Sequence, residues 1–235
     1  MNYINKLQEI LDLSENVVFF GGAGVSTESG IPDFRSDTGI YSHTPEEVLS
    51  RTYFENHTEE FFDYYRKHLI FNDAKPNPAH YKLAEGEKAG KIKAVVTQNV
   101  DGLHQKAGSE NVLELHGNTN RNFCQFCKKE YDSNKILTSK NVPYCECGGI
   151  IKPDVVLYEE PLNEDVLSKS IEHISKADTL IVGGTSLVVY PAAGLIKYFN
   201  GDNLVLINKG TTDYDSFADL VIHEPIGEVF SEIKF

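Results

Sequence analysis

Six short apolar runs set the strongest limit on how this chain folds: residues 16–20, 94–98, 112–115, 179–182, 203–208 and 220–222. They are β-branched and almost unbroken by polar residues, the pattern of strands buried on both faces of a parallel sheet. Between them the apolar residues recur with helical spacing. Ile4, Leu7, Ile10 and Leu11 share one helix face, as do Val166, Leu167, Ile171 and Ile174, and then Ile226, Val229, Phe230 and Ile233. Strands alternating with amphipathic helices predict an α/β fold, a Rossmann-like doubly wound parallel sheet.

Two stretches break the alternation. Residues 41–71 hold Phe54, Phe61, Phe62, Tyr64 and Tyr65 without a convincing buried strand, and read as a helical insertion. Residues 118–152 hold all four cysteines, Cys124, Cys127, Cys145 and Cys147. Two close pairs separated by a loop fit a structural Cys₄ zinc ribbon, each turn presenting two thiolates to one tetrahedral ion. Chance clustering or a redox pair is the competing reading, and Cys145-Glu146-Cys147 is tighter than the common Cys-x-x-Cys. The expected division is a discontinuous Rossmann-like domain over 1–40, 72–117 and 153–235, with insertions at 41–71 and 118–152. A chain of 235 residues accommodates this arrangement as one main domain with insertions. Its ligand cleft belongs between the sheet and the insertions.

Charge excludes some functions. Lys and Arg number 22 against 35 Asp and Glu, a net −13. General nucleic-acid binding, which rests on cations neutralising phosphate, is not expected. No apolar run approaches the roughly 18–20 residues of a membrane span. The first ten residues carry Lys6 and Glu9 where a signal peptide needs an apolar stretch. A cytoplasmic location is expected.

After the first run comes Gly21-Gly22-Ala23-Gly24-Val25-Ser26-Thr27, where closely spaced glycines let backbone N–H groups approach a pyrophosphate. Thr27 replaces the third glycine of the dehydrogenase fingerprint, and no strand ending in Asp or Glu follows about 20 residues later. A dinucleotide must therefore be held in another way. Polar residues then gather at the carboxyl ends of strands: Gln98-Asn99-Val100-Asp101 at one and His116-Gly117 at another. With 29–35, the cysteines, 153–156, Gly184-Thr185-Ser186-Leu187 and Asn208, these motifs make the chain similar over nearly its whole length to the sirtuins, NAD-dependent protein deacylases.

The resemblance implies a reaction and a set of roles. An acyl-lysine on a protein or peptide would react with NAD, releasing nicotinamide and ending as free lysine and 2′-O-acyl-ADP-ribose. Ala23, Gly24, Ser26 and Thr27 would line the NAD phosphates and adjoining ribose, and Gln98 and Asn99 the nicotinamide ribose. Val100 and Asp101 would receive the carboxamide. Phe34 would cover the sugar once nicotinamide leaves, and Arg35 belongs to the loop that closes over NAD. Gly184, Thr185, Ser186 and Asn208 would bind the phosphates and adenosine, with Ile226 near adenine. His116 is the expected general base, with Asn99 beside it in the catalytic set, and Val155, Val156 and Leu157 would pair with the substrate backbone. His43, His57, His68, His80, His173 and His223 read as structural, His104 as a packing or supporting residue, and Asp33 as a turn residue.

The acyl group is set by a departure. A branch of the family that takes acidic acyl groups shows Tyr-x-x-Arg in the helical insertion; here Tyr64-x-x-Lys67 stands in that place, with Arg66 adjacent. Lysine lacks the bidentate fork that matches a carboxylate, so acetyl is the expected group. A second departure is Tyr158-Glu159-Glu160, where the family usually shows Phe-Gly-Glu. The competing functions are mono-ADP-ribosyl transfer on the same scaffold and a non-catalytic NAD-binding scaffold.

Overall fold

The computed structural model describes residues 3–36, 39–42 and 46–235. Its strands are β1 (Val17–Gly21), β2 (Ile92–Thr97), β3 (Val112–Glu114), β4 (Gly117–Cys124), β5 (Glu130–Tyr131), β6 (Ile151–Val155), β7 (Thr179–Gly183), β8 (Asn203–Ile207) and β9 (Leu220–Ile222). Its α-helices are α1 (Tyr3–Leu13), α2 (Arg51–Asn56), α3 (Thr58–His68), α4 (Pro78–Lys88), α5 (Leu103–Ala107), α6 (Ser133–Thr138), α7 (Glu164–Lys176) and α8 (Ile226–Ser231). All six apolar runs are strands of one sheet, ordered β3-β2-β1-β7-β8-β9 and parallel throughout.

Alternation along β1 divides the core between the two faces. Val17 and Phe19 pack with Leu7, Ile10 and Leu11 of α1, Leu83 of α4 and Phe230 of α8. Val18 and Phe20 face the other way, onto Ile174 of α7 and the 3₁₀ turn Ala192–Tyr198. Removing each phenylalanine from water is worth roughly 1.5–3 kcal/mol, so both faces of one strand contribute. Helix α4 lies where no amphipathic pattern pointed to one. Its start is chemically specified: Pro78 occupies the first turn, Asn77 accepts from Ala79 N, and His80 completes the capping box.

The remaining strands form a second, antiparallel sheet, β5-β4-β6. β6 crosses the expected boundary at 152/153, because its pairing with β4 continues to Val155 opposite Gly117. The two insertions also share one core. Phe54, Phe61, Phe62, Tyr65 and Leu69 pack with Cys124, Cys145, Ile136 and Ile151. Arg66 reinforces this contact, donating through Nε to the Ile136 carbonyl at 3.0 Å and through Nη2 to the Asn141 carbonyl. Described residues of 41–71 and 118–152 thus share one hydrophobic cluster.

Candidate active site

The main sheet reverses strand order between β1 and β7, and a crevice opens beyond their carboxyl ends, as this topology requires. Gly22 N donates to the Gly183 carbonyl at 3.2 Å and Gly24 N to the Gly184 carbonyl at 2.8 Å, stitching the loops after the two strands together. A Cβ on Gly24 would stand 2.8 Å from Gly184 Cα and from its carbonyl oxygen, so side chains are excluded there. The first loop continues as a 3₁₀ turn, Ala23–Ser29, ended by Gly30 at φ 83. The resulting cleft of about 500 Å³ is lined by Ala23, Gly24, Thr27, Phe34, Arg35, Gln98, Asn99, Val100 and His116. Val155, Val156, Leu157, Gly184, Thr185, Ser186, Asn208 and Ile226 complete its expected lining.

His116 follows β3, and Nδ1 donates to the Gln98 carbonyl at 3.0 Å. A carbonyl only accepts, so in the neutral ring Nδ1 carries the hydrogen and Nε2 is the basic nitrogen. Burial lowers the imidazole pKa, the Gln98 carbonyl opposes that shift, and the positive charge of Arg35 adds to it. Gly117, at φ 80, lets the chain turn here, since a Cβ would collide with the Asp154 carbonyl. Val156 N donates to the His116 carbonyl at 2.9 Å, tying the general-base candidate to the segment after β6.

Ser26 and Asp101 do not line the cleft; they form a directional network behind its wall. Asn77 N donates to His80 Nδ1 at 3.2 Å, which puts the imidazole hydrogen on Nε2, 3.4 Å from Ser26 Oγ. Asn99 Nδ2 also donates to Ser26 Oγ, at 3.1 Å. Ser26 therefore gives its own hydrogen to Asp101 Oδ2, at 2.7 Å, while Leu103 N donates to Oδ1 at 2.8 Å. Burial raises the Asp101 pKa and these two hydrogen bonds pull it down. Asn99 is thus oriented from behind, with its backbone N donating to Thr97 Oγ1 at 3.0 Å.

The loop carrying Phe34 and Arg35 closes one side. Asp33 Oδ1 accepts from Arg35 N and Ser36 N, the turn role expected of it. Arg35 Nη2 reaches Glu46 Oε1 and the Tyr158 hydroxyl, both at 3.0 Å. Phe34 packs on Tyr41, ring centroids 5.2 Å apart. The hydroxyl that distinguishes Tyr158 from the family's phenylalanine therefore joins the Arg35 loop to the segment after β6. At the far end, Asn208 Nδ2 donates to the Gly210 carbonyl and Gly227 N, beside Ile226, to Glu28.

A model of the Sir2 family matches residues 22–191. The chain belongs to the Sir2 family. Proteins named NAD-dependent protein deacetylase from Clostridium acetobutylicum and Clostridium perfringens are 58% and 60% identical to this Sir2 chain, with 99% and 98% of it matched and 98% of each relative covered. Among solved structures, Sir2 with a deacetylated p53 peptide and 3′-O-acetyl ADP ribose superposes with a TM-score of 0.92 at 41% identity, covering 97% of this chain and 96% of that one. Sir2 with p53 peptide and NAD⁺ gives 0.86 at 40% identity, covering 97% and 95%.

The Sir2 chain brings its four cysteine sulfurs within 4.8 Å of one another. Cys124–Cys147 and Cys127–Cys145 are 3.4 and 3.5 Å apart, close to the roughly 3.8 Å of a tetrahedral zinc thiolate. All four donors are protein thiols, and Gly149 admits its backbone so close that a Cβ would stand 2.7 Å from Cys124 Sγ. These residues fit a structural zinc ion, with every coordination position filled by protein. His57 stacks on Tyr53, His68 packs tilted on Tyr64, His173 approaches Asn111, and His223 bonds the Asn208 carbonyl; none of the four lines the cleft. His43 lies outside the described residues. What the sequence pattern missed is the support: Asn77 and His80 behind Asn99, and Tyr41 beside Phe34. Asn77-Pro78 before His80 was a legible helix-start signal. The Tyr41 placement left no local trace.

Proposed function

We propose that this Sir2-family protein is an NAD-dependent protein-lysine deacetylase in which His116 is the general base. The observation that carries the reading is the His116–Gln98 hydrogen bond, which leaves Nε2 basic in a cleft with the glycine turn on one side and Val155–Val156–Leu157 on the other. NAD, when bound, supplies a ribose carbon that the acyl oxygen attacks as nicotinamide departs. The residues present divide the remaining work. Ala23, Gly24, Thr27 and the Gly184-Thr185-Ser186 turn receive the phosphates. Gln98 is held toward Thr185, its Nε2 donating to Oγ1 at 3.1 Å, and with Asn99 takes the nicotinamide ribose. Val100 takes the carboxamide, while Asp101, behind the wall, holds Ser26 and through it Asn99; Asn208 and Ile226 take the adenosine, and Phe34 and Arg35 cover the sugar. His116 Nε2 accepts a ribose hydroxyl proton, so that the oxygen can capture the acyl group.

An uncharged acyl group suits the cleft. Among the described residues, the helical insertion contributes Tyr41, Leu49 and Leu69 to the lining and no cation. Arg66 points its donors to carbonyls of the cysteine-bearing insertion and to Asp63, and Lys67 is exposed away from the cleft lining. The substrate strand would run along 155–157, where main-chain pairing tolerates many sequences. The test is mass spectrometry of an acetyl-lysine peptide incubated with enzyme and NAD. The expected result is nicotinamide release with stoichiometric loss of acetyl. ADP-ribose added to protein without acetyl loss would instead establish the transferase.

A further inference from the structure

The three side chains of Tyr158-Glu159-Glu160 have three different commitments. The Tyr158 hydroxyl is taken by Arg35. Glu160 Oε2 accepts from Lys152 Nζ and from Leu157 N, both at 2.9 Å, with Arg51 3.6 Å from Oε1. Glu159 stands at φ 75, a left-handed conformation that disfavours a residue with a side chain. It is held there by Thr52, whose backbone N and Oγ1 donate to Oε2 at 2.8 and 2.7 Å. Those donors keep the carboxyl below the usual glutamate range, so it is charged at neutral pH.

Charge pairing sets Glu159 apart. Among the described residues, the cations bonded to its neighbours are already spent: Arg35 on Glu46, Arg51 on Glu55 and Glu160, and Lys152 on Glu160. Glu159 has neutral donors only, is exposed, and lines the same cleft as His116 and Leu157. Among the described residues its negative charge therefore has no bonded cation on the wall of the cleft, in a protein whose net charge is already −13. A substrate cation meeting this carboxylate has no resident cation to displace.

We propose that Glu159 is a specificity-determining residue, its carboxylate favouring peptides that carry a lysine or arginine beside the acyl-lysine. The proposal rests on the deacetylase reading. An exposed ion pair supports an effect of about 2- to 5-fold, and salt screens it. The alternative role is a clasp that only anchors the loop to Thr52. Glu159→Gln separates the two, because its amide oxygen can still accept from Thr52 while the charge is gone.

The experiment measures kcat/KM by nicotinamide release and acetyl loss, with acetyl-lysine peptides differing only in a basic, neutral or acidic flanking residue. The readout is the basic-to-neutral ratio within each protein. The expected ratio is about 2–5 in the wild type at low salt, falling toward one at high salt. It should fall to near one in Glu159→Gln and below one in Glu159→Lys. Glu159→Gly, which suits the left-handed backbone, should match Glu159→Gln and guards against a folding artefact. A wild-type ratio of one, or a ratio unchanged by Glu159→Gln, overturns the proposal while leaving the deacetylase intact. Failure of every peptide to lose acetyl overturns the deacetylase reading and this proposal with it.

Discussion

At the residue scale, chemistry is concentrated in imidazoles held neutral. His116 is expected to be indispensable: His116→Ala should abolish deacetylation while circular dichroism and the melting transition stay close to wild type. Its pKa is lowered chiefly by burial, so the acid limb of kcat/KM against pH should fall below the ordinary histidine value of about 6.5. An inflection well above 7 would assign the base elsewhere. His80 and His104 act on stability instead. Burial depresses His80 to about 4, and His104, with neither ring nitrogen hydrogen-bonded, is also pushed well down. The unfolded chain takes up these protons below about 6.5 and the native one does not, so stability is full above that pH and falls beneath it. For His80 the slope is about 1.4 kcal/mol per pH unit until its folded pKa is reached. Urea midpoints measured from pH 7 to 5 should therefore drop, and His104→Phe, which packs against Phe19 without titrating, should flatten the drop. A wild-type midpoint that does not move with pH would contradict this.

At the element scale, the glycine turn after β1 and the glycine after β7 act as one part. Gly24→Ala would force apart two stretches of backbone rather than displace a side chain. A shift of about 1 Å at a positioning loop costs on the order of 100-fold in rate. The expected result is that large a loss in kcat/KM for NAD in a protein that still folds, and wild-type kinetics would show the close approach to be dispensable. Most of this element was legible: continuous apolar runs need cover on both faces, so their number and alternation with helices pointed to a parallel sheet between two helical layers. The antiparallel strands were not. β4 is Gly117-Asn118-Thr119-Asn120-Arg121-Asn122-Phe123-Cys124, too polar for the apolar-run signal, and it is a strand because β5 and β6 pair with it on either side. Helix α4 escaped because its face is made by Ala79, His80, Leu83 and Gly86, a weak apolar stripe that a cap and neighbouring packing stabilise.

At the scale of the whole molecule, the two insertions share a hydrophobic cluster. Cys124 and Cys145 pack in the same cluster as Phe61, Phe62, Val155 and Leu157, so the cysteine cluster and the segment proposed to pair with substrate share a core. Removing zinc with a chelator, or substituting Cys127→Ser, should therefore lower the melting temperature and weaken acetyl-peptide binding before NAD binding. Paired titrations by calorimetry, with metal analysis showing about one zinc per chain in the untreated protein, test the order. Equal loss of both ligands would mean that the insertions do not behave as a separable layer.

Local chemistry was enough for much of this protein. Apolar period decides which strands can be buried on both faces, glycine spacing decides where backbone can approach phosphate, and thiol spacing decides where a tetrahedral ion fits. Each is a property of residues near one another in the chain. Only the tertiary structure decided which His116 nitrogen is basic, what holds Asn99, that the Tyr158 hydroxyl belongs to Arg35, and that Glu159 is without a cation among the described residues. Those outcomes depend on which donor meets which acceptor across contacts of tens of residues, such as Arg35 with Tyr158 or Ser26 with Asp101. Hydrogen bonds and ion pairs are short-ranged and directional, so their partners are chosen by the packed fold and leave no period in the sequence.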